Sequence, residues 1–260
     1  MSAAVGDIAG SAYEGRSHRT KDYDSVKMFS SRAHFTDDTV CTFACAEAFL
    51  DNLDMAMNLW KCSNEHRHAG FGHRYKEWMA SHDPKPYGSF GNGSAMRVGP
   101  VGWAYDTKEE VLAAAKCSAE CTHNHPEGIK GAQATALCIL MARQGATKEE
   151  IRKAIEKEFG YDLAFTCDGI RGSYGWGSTC QDTVPQAIVA FLDGTDFEDC
   201  IRNAISIGGD SDTLGCITGS IAEAFFGIPK EIYDKGLEYL TPHFKNVVRE
   251  FEGKYGNKVI

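Results

Sequence analysis

Signals that start an α-helix recur along the whole chain, and nothing comparable marks a β-strand. Thr107-x-x-Glu110 and Thr147-x-x-Glu150 read as capping boxes, in which the Thr hydroxyl takes an amide of the first turn while the Glu reaches back to the cap. Small and apolar residues at helical spacing follow each box: Val111, Ala114, Ala115 and Ser118 in one, Ile151, Ile155 and Phe159 in the other. Pro185, Pro229 and Pro242 stand where first turns are expected, ahead of Ala187–Leu192, Ile232–Leu240 and Phe244–Phe251. About eight helices or more follow from these signals. Val, Ile and Thr nowhere alternate at period two long enough to compete, so the fold class is all-α. Two glycine-rich stretches, Asp83–Trp103 and Cys167–Cys180, break the helical texture and read as loops. Neither has the composition of an interdomain linker and no repeat is present, so residues 1–260 read as one domain.

With 260 residues, 43% of them hydrophobic and 24% charged, the chain is long enough to bury a sizeable core. Its 36 acidic and 27 basic residues leave a net charge of −9, a field that repels phosphodiester backbones and argues against a broad nucleic-acid surface. The longest apolar runs, Ala44–Leu50 and Ile221–Ile228, fall far short of the roughly 20 residues that cross a bilayer, so no membrane span is expected. Met1–Ser11 lacks a basic segment and carries Asp7, which speaks against a secretory signal and for a cytoplasmic protein. The ten cysteines form no C-x-x-C pair. Cys41/Cys45 and Cys117/Cys121, each four apart, share a helix face and read as reduced core residues rather than zinc ligands. A monomer is the default expectation, since oligomeric state carries no signal of its own.

The chemistry concentrates at two helix starts. Phe35-Thr36-Asp37-Asp38-Thr39 precedes Val40–Leu53, and Gly208-Gly209-Asp210-Ser211-Asp212-Thr213 precedes Leu214–Phe226. Asp and Thr cap helices well, but one helix start needs one cap, not several carboxylates with hydroxyls beside them. Four converging aspartates would raise one another's pKa, whereas two divalent cations would compensate their charge. Carboxylate and hydroxyl oxygens are hard ligands, and neither motif contains His, which favours Mg²⁺, Mn²⁺ or Ca²⁺ over zinc. The Gly pair lets the backbone approach closely. A third stretch, Gly6-Asp7-Ile8-Ala9-Gly10-Ser11-Ala12-Tyr13-Glu14, is rich in small residues and reads as a tightly packed core helix, with Glu14 at its end offering a further carboxylate.

These stretches, with G-S-F-G-N-G-S-A-M-R at 88–97, T-H-N-H-P-E-G at 122–128 and Q-D-T-V-P-Q-A at 181–187, occur in an order that resembles the ADP-ribosylglycohydrolase family. That family includes dinitrogenase-reductase-activating glycohydrolases and ADP-ribosyl-acceptor hydrolases. The resemblance implies a compact orthogonal helical bundle whose cleft holds two Mg²⁺ or Mn²⁺ ions. It implies Thr36, Asp37, Asp38, Asp210, Asp212 and Thr213 as metal ligands, and Glu14 with Asp37 as the catalytic carboxylates. The loop Gly88, Ser89, Phe90, Gly91, Asn92 and Gly93 is then expected to hold ribose and diphosphate through its amides, with His123 contacting the ADP-ribose portion. The implied reaction is metal-dependent hydrolysis of the glycosidic bond joining ADP-ribose to a protein side chain or small acceptor, with ADP-ribose released. Alternatives are a non-catalytic ADP-ribose-binding or structural member, or a hydrolase of another small ribosyl or nucleotide compound. From the residues alone, Arg97 reads as a structural salt bridge or a phosphate ligand, and Tyr174 and Trp176 as adenine platforms or loop anchors. His66, His68, His73 and His125 read as capped or surface residues.

Overall fold

Small side chains let two helices meet backbone to backbone, and that contact organises the molecule. The computed structural model describes residues 1–15, 18–256 and 259–260. In chain order the helices are α1 (Ser2–Ser11), α2 (Asp37–Asp51), α3 (Met55–Glu65), α4 (His73–Ala80), α5 (Gly93–Met96), α6 (Gly99–Ala104), α7 (Lys108–Glu120), α8 (Pro126–Arg143), α9 (Lys148–Phe159), α10 (Cys167–Arg171), α11 (Cys180–Asp193), α12 (Phe197–Ser206), α13 (Ser211–Phe226), α14 (Lys230–Glu238) and α15 (Pro242–Tyr255). Among the described residues there is no β-strand beyond two isolated bridges, and no helix is long and apolar enough to cross a membrane.

Helices α1 and α13 form the core of the fold, every residue of α1 being buried. A Cβ built on Gly6 would fall 1.9 Å from the Gly215 carbonyl oxygen, and one built on Gly10 would fall 2.2 Å from that of Ser211. No larger residue fits without parting the helices. The Ser211 hydroxyl donates to the Gly10 carbonyl at 2.9 Å, which sets the start of α13 against the end of α1. Helices α8, α11 and α12 pack around this pair, and α2 packs against α1 and α15. The contiguous apolar core runs from Ala3 to Phe251.

The expected capping box is complete at α9, where the Glu150 carboxylate accepts from the Thr147 amide while the Thr147 hydroxyl oxygen accepts from the Glu150 amide. At α7 the Thr107 oxygen likewise accepts from the Glu110 amide. Pro229 and Pro242 do mark helix starts. Pro185 does not: it lies inside α11, whose true cap is Thr179, accepting from the Asp182 amide at 3.2 Å. The glycine-rich stretches also hold more helix than expected, since α5 and α6 lie in the first and α10 in the second. Cys41 and Cys45 are buried core residues, but Cys117 is exposed, so the second pair does not form a buried face.

Candidate functional site

The start of α2 is built around a buried carboxylate from α1. Asp7, fully buried, accepts from the Thr36 amide at 2.8 Å, the Thr36 hydroxyl at 2.7 Å, the Thr39 amide at 3.1 Å and the Thr39 hydroxyl at 2.5 Å. It therefore takes up donors that a helix start leaves over. The Thr36 oxygen caps α2 by accepting from the Asp38 amide. Neither Asp37 nor Asp38 is needed as a cap, and both carboxylates are released toward the cleft.

The start of α13 follows two residues in the left-handed region, Gly208 at φ +80° and Gly209 at φ +83°. Asp210 occupies the N-cap position, yet its carboxylate makes no capping bond and accepts instead from the Asn92 amide group at 2.8 Å. The bland reading of that motif as a cap is thus excluded. Carboxylate oxygens of Glu14, Asp210 and Asp212 lie within 4.8 Å of one another. Asp37, Asp38 and Thr213 line the same cleft, and Asp38 Oδ1 is buried without a hydrogen-bond partner.

Burial, and then the neighbouring Asp7, Asp210 and Glu14 carboxylates, push Asp37 up to about 8. Burial and the surrounding acids likewise raise Asp38 and Asp212 well above the usual carboxylate range and also raise Glu14, whereas Asp210 is raised by burial against the opposing pull of the Asp212 and Asn92 hydrogen bonds and of Arg19. Protonation can relieve this repulsion, and so can a multivalent cation. A donor set made of carboxylates and threonine hydroxyls, with an orphaned buried oxygen among them, fits magnesium-like cations. Thr36, unlike Thr213, does not itself line the cleft; its hydrogen is committed to Asp7 and one lone pair to the Asp38 amide, which leaves one lone pair for a cation.

Facing the carboxylates is the wall from Ser89 to Gly93, stitched to the start of α11. Gly91 bridges Thr179, the Asn92 amide donates to the Ser178 carbonyl at 3.0 Å, and the Cys180 amide donates to that of Phe90 at 2.9 Å. Ser89, Gly91, Asn92, Gly93 and His123 line a cleft of about 450 Å³ together with Glu14 and the aspartates. Gly88 and Phe90 do not line it. Gly88 donates its amide to Asn124, and Phe90 turns outward against the His125 ring. The amides of Gly91 and Asn92 are also committed, to the Ser89 hydroxyl and the Ser178 carbonyl. The loop therefore offers fewer free amides than its glycine content suggests.

Arg97 is neither a salt bridge nor a free phosphate ligand. It is fully buried and donates to the carbonyls of Gly93 and Ser118 and to the Thr122 hydroxyl. Tyr174 anchors its loop by donating to the Asp182 carbonyl, whereas Trp176 stands half-exposed at the cleft rim beneath the Arg19 guanidinium. His125 caps α8, and His66 stacks on Phe244. Sequence reasoning missed Asp7 as an organiser of the site. An acid inside an otherwise small and apolar helix was the available signal. It also missed Arg74, whose guanidinium sits 4.9 Å from the Tyr87 ring centroid at the cleft, with no distinguishing pattern around it.

Comparison with known proteins identifies the family and the fold. Residues 1–255 match the family model for ADP-ribosylglycohydrolase. The human protein ADP-ribosylhydrolase ARH3 is 25% identical over 307 residues, covering 87% of this chain and 84% of its own. The ADP-ribosyl-[dinitrogen reductase] glycohydrolase of Rhodospirillum rubrum is 26% identical over 170 residues, covering 60% and 52%. A solved ADP-ribosylglycohydrolase-related protein complex superposes with a TM-score of 0.72 at 26% identity, over 96% of this chain and 93% of that one. With the family model spanning nearly its whole length, the chain belongs to the ADP-ribosylglycohydrolase family.

Proposed function

We propose that this protein hydrolyses the glycosidic bond at C1 of an ADP-ribosyl group, releasing ADP-ribose from a protein side chain or other acceptor, and that it does so with two divalent cations, Mg²⁺ or Mn²⁺. One observation carries the proposal. Glu14, Asp210 and Asp212 meet within 4.8 Å, with Asp37 and Asp38 beside them in the same cleft, and Arg19, which favours the charged form of Asp210, is one cation against five acids. Membership of a family of glycohydrolases supplies the reaction class.

Thr36, Asp37, Asp38, Asp210, Asp212 and Thr213 would hold the cations. Bound there, the cations supply positive charge and a template for substrate oxygens. The remaining work falls to this chain's residues. Glu14 sits at the exposed end of the cluster, where a carboxylate can take a proton from attacking water or pass one to the departing acceptor. Asp37 is the other candidate for that exchange, in the two-carboxylate logic of glycoside hydrolysis. As the C1 bond to nitrogen or oxygen breaks, positive charge on the ribose faces these acids. The water oxygen joins C1, and one proton ends on the acceptor. Ser89, Asn92 and His123 orient the substrate from the opposite wall.

The test is release of free ADP-ribose from Arg- and Ser-linked substrates, with and without chelator. Metal-dependent release is expected, and turnover surviving complete metal removal refutes the cation assignment. Tight ADP-ribose binding with no turnover on any linkage would instead favour a binding member.

A further inference from the structure

Arg97, Thr122 and His123 form a buried chain of hydrogen bonds that ends in the cleft. Arg97 Nη2 lies 2.8 Å from the Thr122 hydroxyl oxygen, and that oxygen lies 2.7 Å from His123 Nδ1. Thr122 is fully buried and His123 is 5% exposed. A guanidinium N–H only donates, so the Thr122 oxygen accepts from Arg97. Its own hydrogen then needs an acceptor, because a buried hydroxyl proton left unpaired is costly. Among the described residues its best acceptor is His123 Nδ1, because the Cys121 sulfur also in reach is a weak acceptor whose thiol is engaged with the Ser118 carbonyl. If Nδ1 carried the proton instead, the oxygen would face two donors and its hydrogen would be left to that sulfur.

With Nδ1 accepting, a neutral ring carries its hydrogen on Nε2. The ring is neutral because burial, reinforced by the positive charges of Arg97 and Arg74, holds its pKa well below the usual histidine value. Nε2 faces the Gly91–Gly93 wall, 3.5 Å and 3.1 Å from where Cβ atoms of those two glycines would lie, and no protein acceptor engages it among the described residues. A permanent donor without a partner thus looks into the site.

We infer that Thr122 fixes His123 as the neutral Nε2–H tautomer, and that His123 serves as a constant hydrogen-bond donor to an acceptor oxygen or nitrogen of the bound ligand. This excludes His123 from proton transfer. Thr122, which touches no ligand, is a positioning residue. The identity of the ligand as an ADP-ribosyl group rests on the function proposed above, whereas the tautomer rests on the hydrogen-bond chain alone.

Long-range proton–nitrogen spectra of the full chain, uniformly labelled with nitrogen-15, test the tautomer directly, with the His123 signal identified by its loss in His123→Gln. The expected result near neutral pH is a neutral ring protonated on Nε2. A ring protonated on Nδ1, or an imidazolium, overturns the inference without any substitution being needed. Titration with ADP-ribose tests the second half. Thr122→Val, which has no hydroxyl to direct the ring, should lose the tautomer preference and bind ADP-ribose about tenfold more weakly, and Thr122→Ser should restore both. Wild-type affinity in Thr122→Val with its ring still on Nε2 overturns the role of Thr122. A wild-type protein with the expected tautomer but no affinity for ADP-ribose overturns the ligand, and with it the proposed function, while the spectrum upholds the tautomer.

Discussion

The two halves of the acidic cluster reach one cleft by different physics. The Asp210–Thr213 half is placed by steric contact, because Gly6 and Gly10 let α1 lie directly on the backbone of α13. The Asp37–Asp38 half is placed by hydrogen bonds, because Asp7 alone gathers the amides and hydroxyls of Thr36 and Thr39. Both depend on α1, which presents glycines to one partner and a carboxylate to the other. The difference matters because steric placement is indifferent to charge, whereas placement by Asp7 needs an acceptor at one particular position.

The largest expected effect lies on the steric side. A Cβ at residue 10 would stand 2.2 Å from the Ser211 carbonyl oxygen, and no rotamer moves a Cβ. Gly10→Val should cost about 3 kcal/mol or more in urea unfolding. Wild-type stability in that variant would break the comparison. On the other side, Asp7→Ala leaves two amides and two hydroxyls to water entering the vacated space and should cost about 2 kcal/mol. Asp7→Asn is the sharper probe. Its amide group must oppose one threonine hydroxyl and reverse it, so Mn²⁺ affinity read by calorimetry should fall about tenfold to a hundredfold while circular dichroism stays helical. Equal losses of fold and affinity would mean that Asp7 is only a structural residue.

The sequence exposed these two halves unequally. The D-D and D-x-D motifs are legible because they put more acid at a helix start than a cap can use, and the small residues around Gly6 and Gly10 announce close packing. Asp7 hid inside that same apolar helix, since its meaning appears only when α2 is brought within 3 Å of it. Pro185 misled because Pro more often begins a helix than interrupts one, and the competing Thr179-x-x-Asp182 cap lay in a stretch read as loop. The commitment of the Gly88, Gly91 and Asn92 amides to Asn124, Ser89 and Ser178 depends on tertiary neighbours that no local pattern names.

Proton linkage joins the halves, since acids of both are raised in the cleft. Asp37 holds its proton up to about 8 in the folded protein, whereas the unfolded chain releases it in the ordinary carboxylate range. The folded state therefore binds more protons between those limits, and cation-free stability should fall as pH rises through them. Cations that displace those protons should recover the loss, so the Tm gain from Mn²⁺ should be larger near pH 8 than near pH 5. A gain independent of pH would mean that the carboxylates are not repelling one another.

The smallest effect is expected at the entrance to α13. Gly208 and Gly209 both adopt positive φ, which strains any L side chain by about 1 kcal/mol. Their surroundings differ. A Cβ at 208 meets Lys21 Nζ at 2.9 Å, a side-chain end that can move only by giving up its hydrogen bonds to the Ile207 and Tyr174 carbonyls, whereas one at 209 meets Cε1 of the anchored Tyr174 ring at 2.5 Å. Gly208→Ala should therefore lose the backbone penalty plus those hydrogen bonds, about 1 to 2 kcal/mol in chemical denaturation, and Gly209→Ala visibly more. If steric placement of α13 governs Asp210, ADP-ribose release should drop in Gly209→Ala beyond what its stability explains and stay close to wild type in Gly208→Ala. The reverse order would show that Asp210 takes its position from Asn92 rather than from the backbone beneath it.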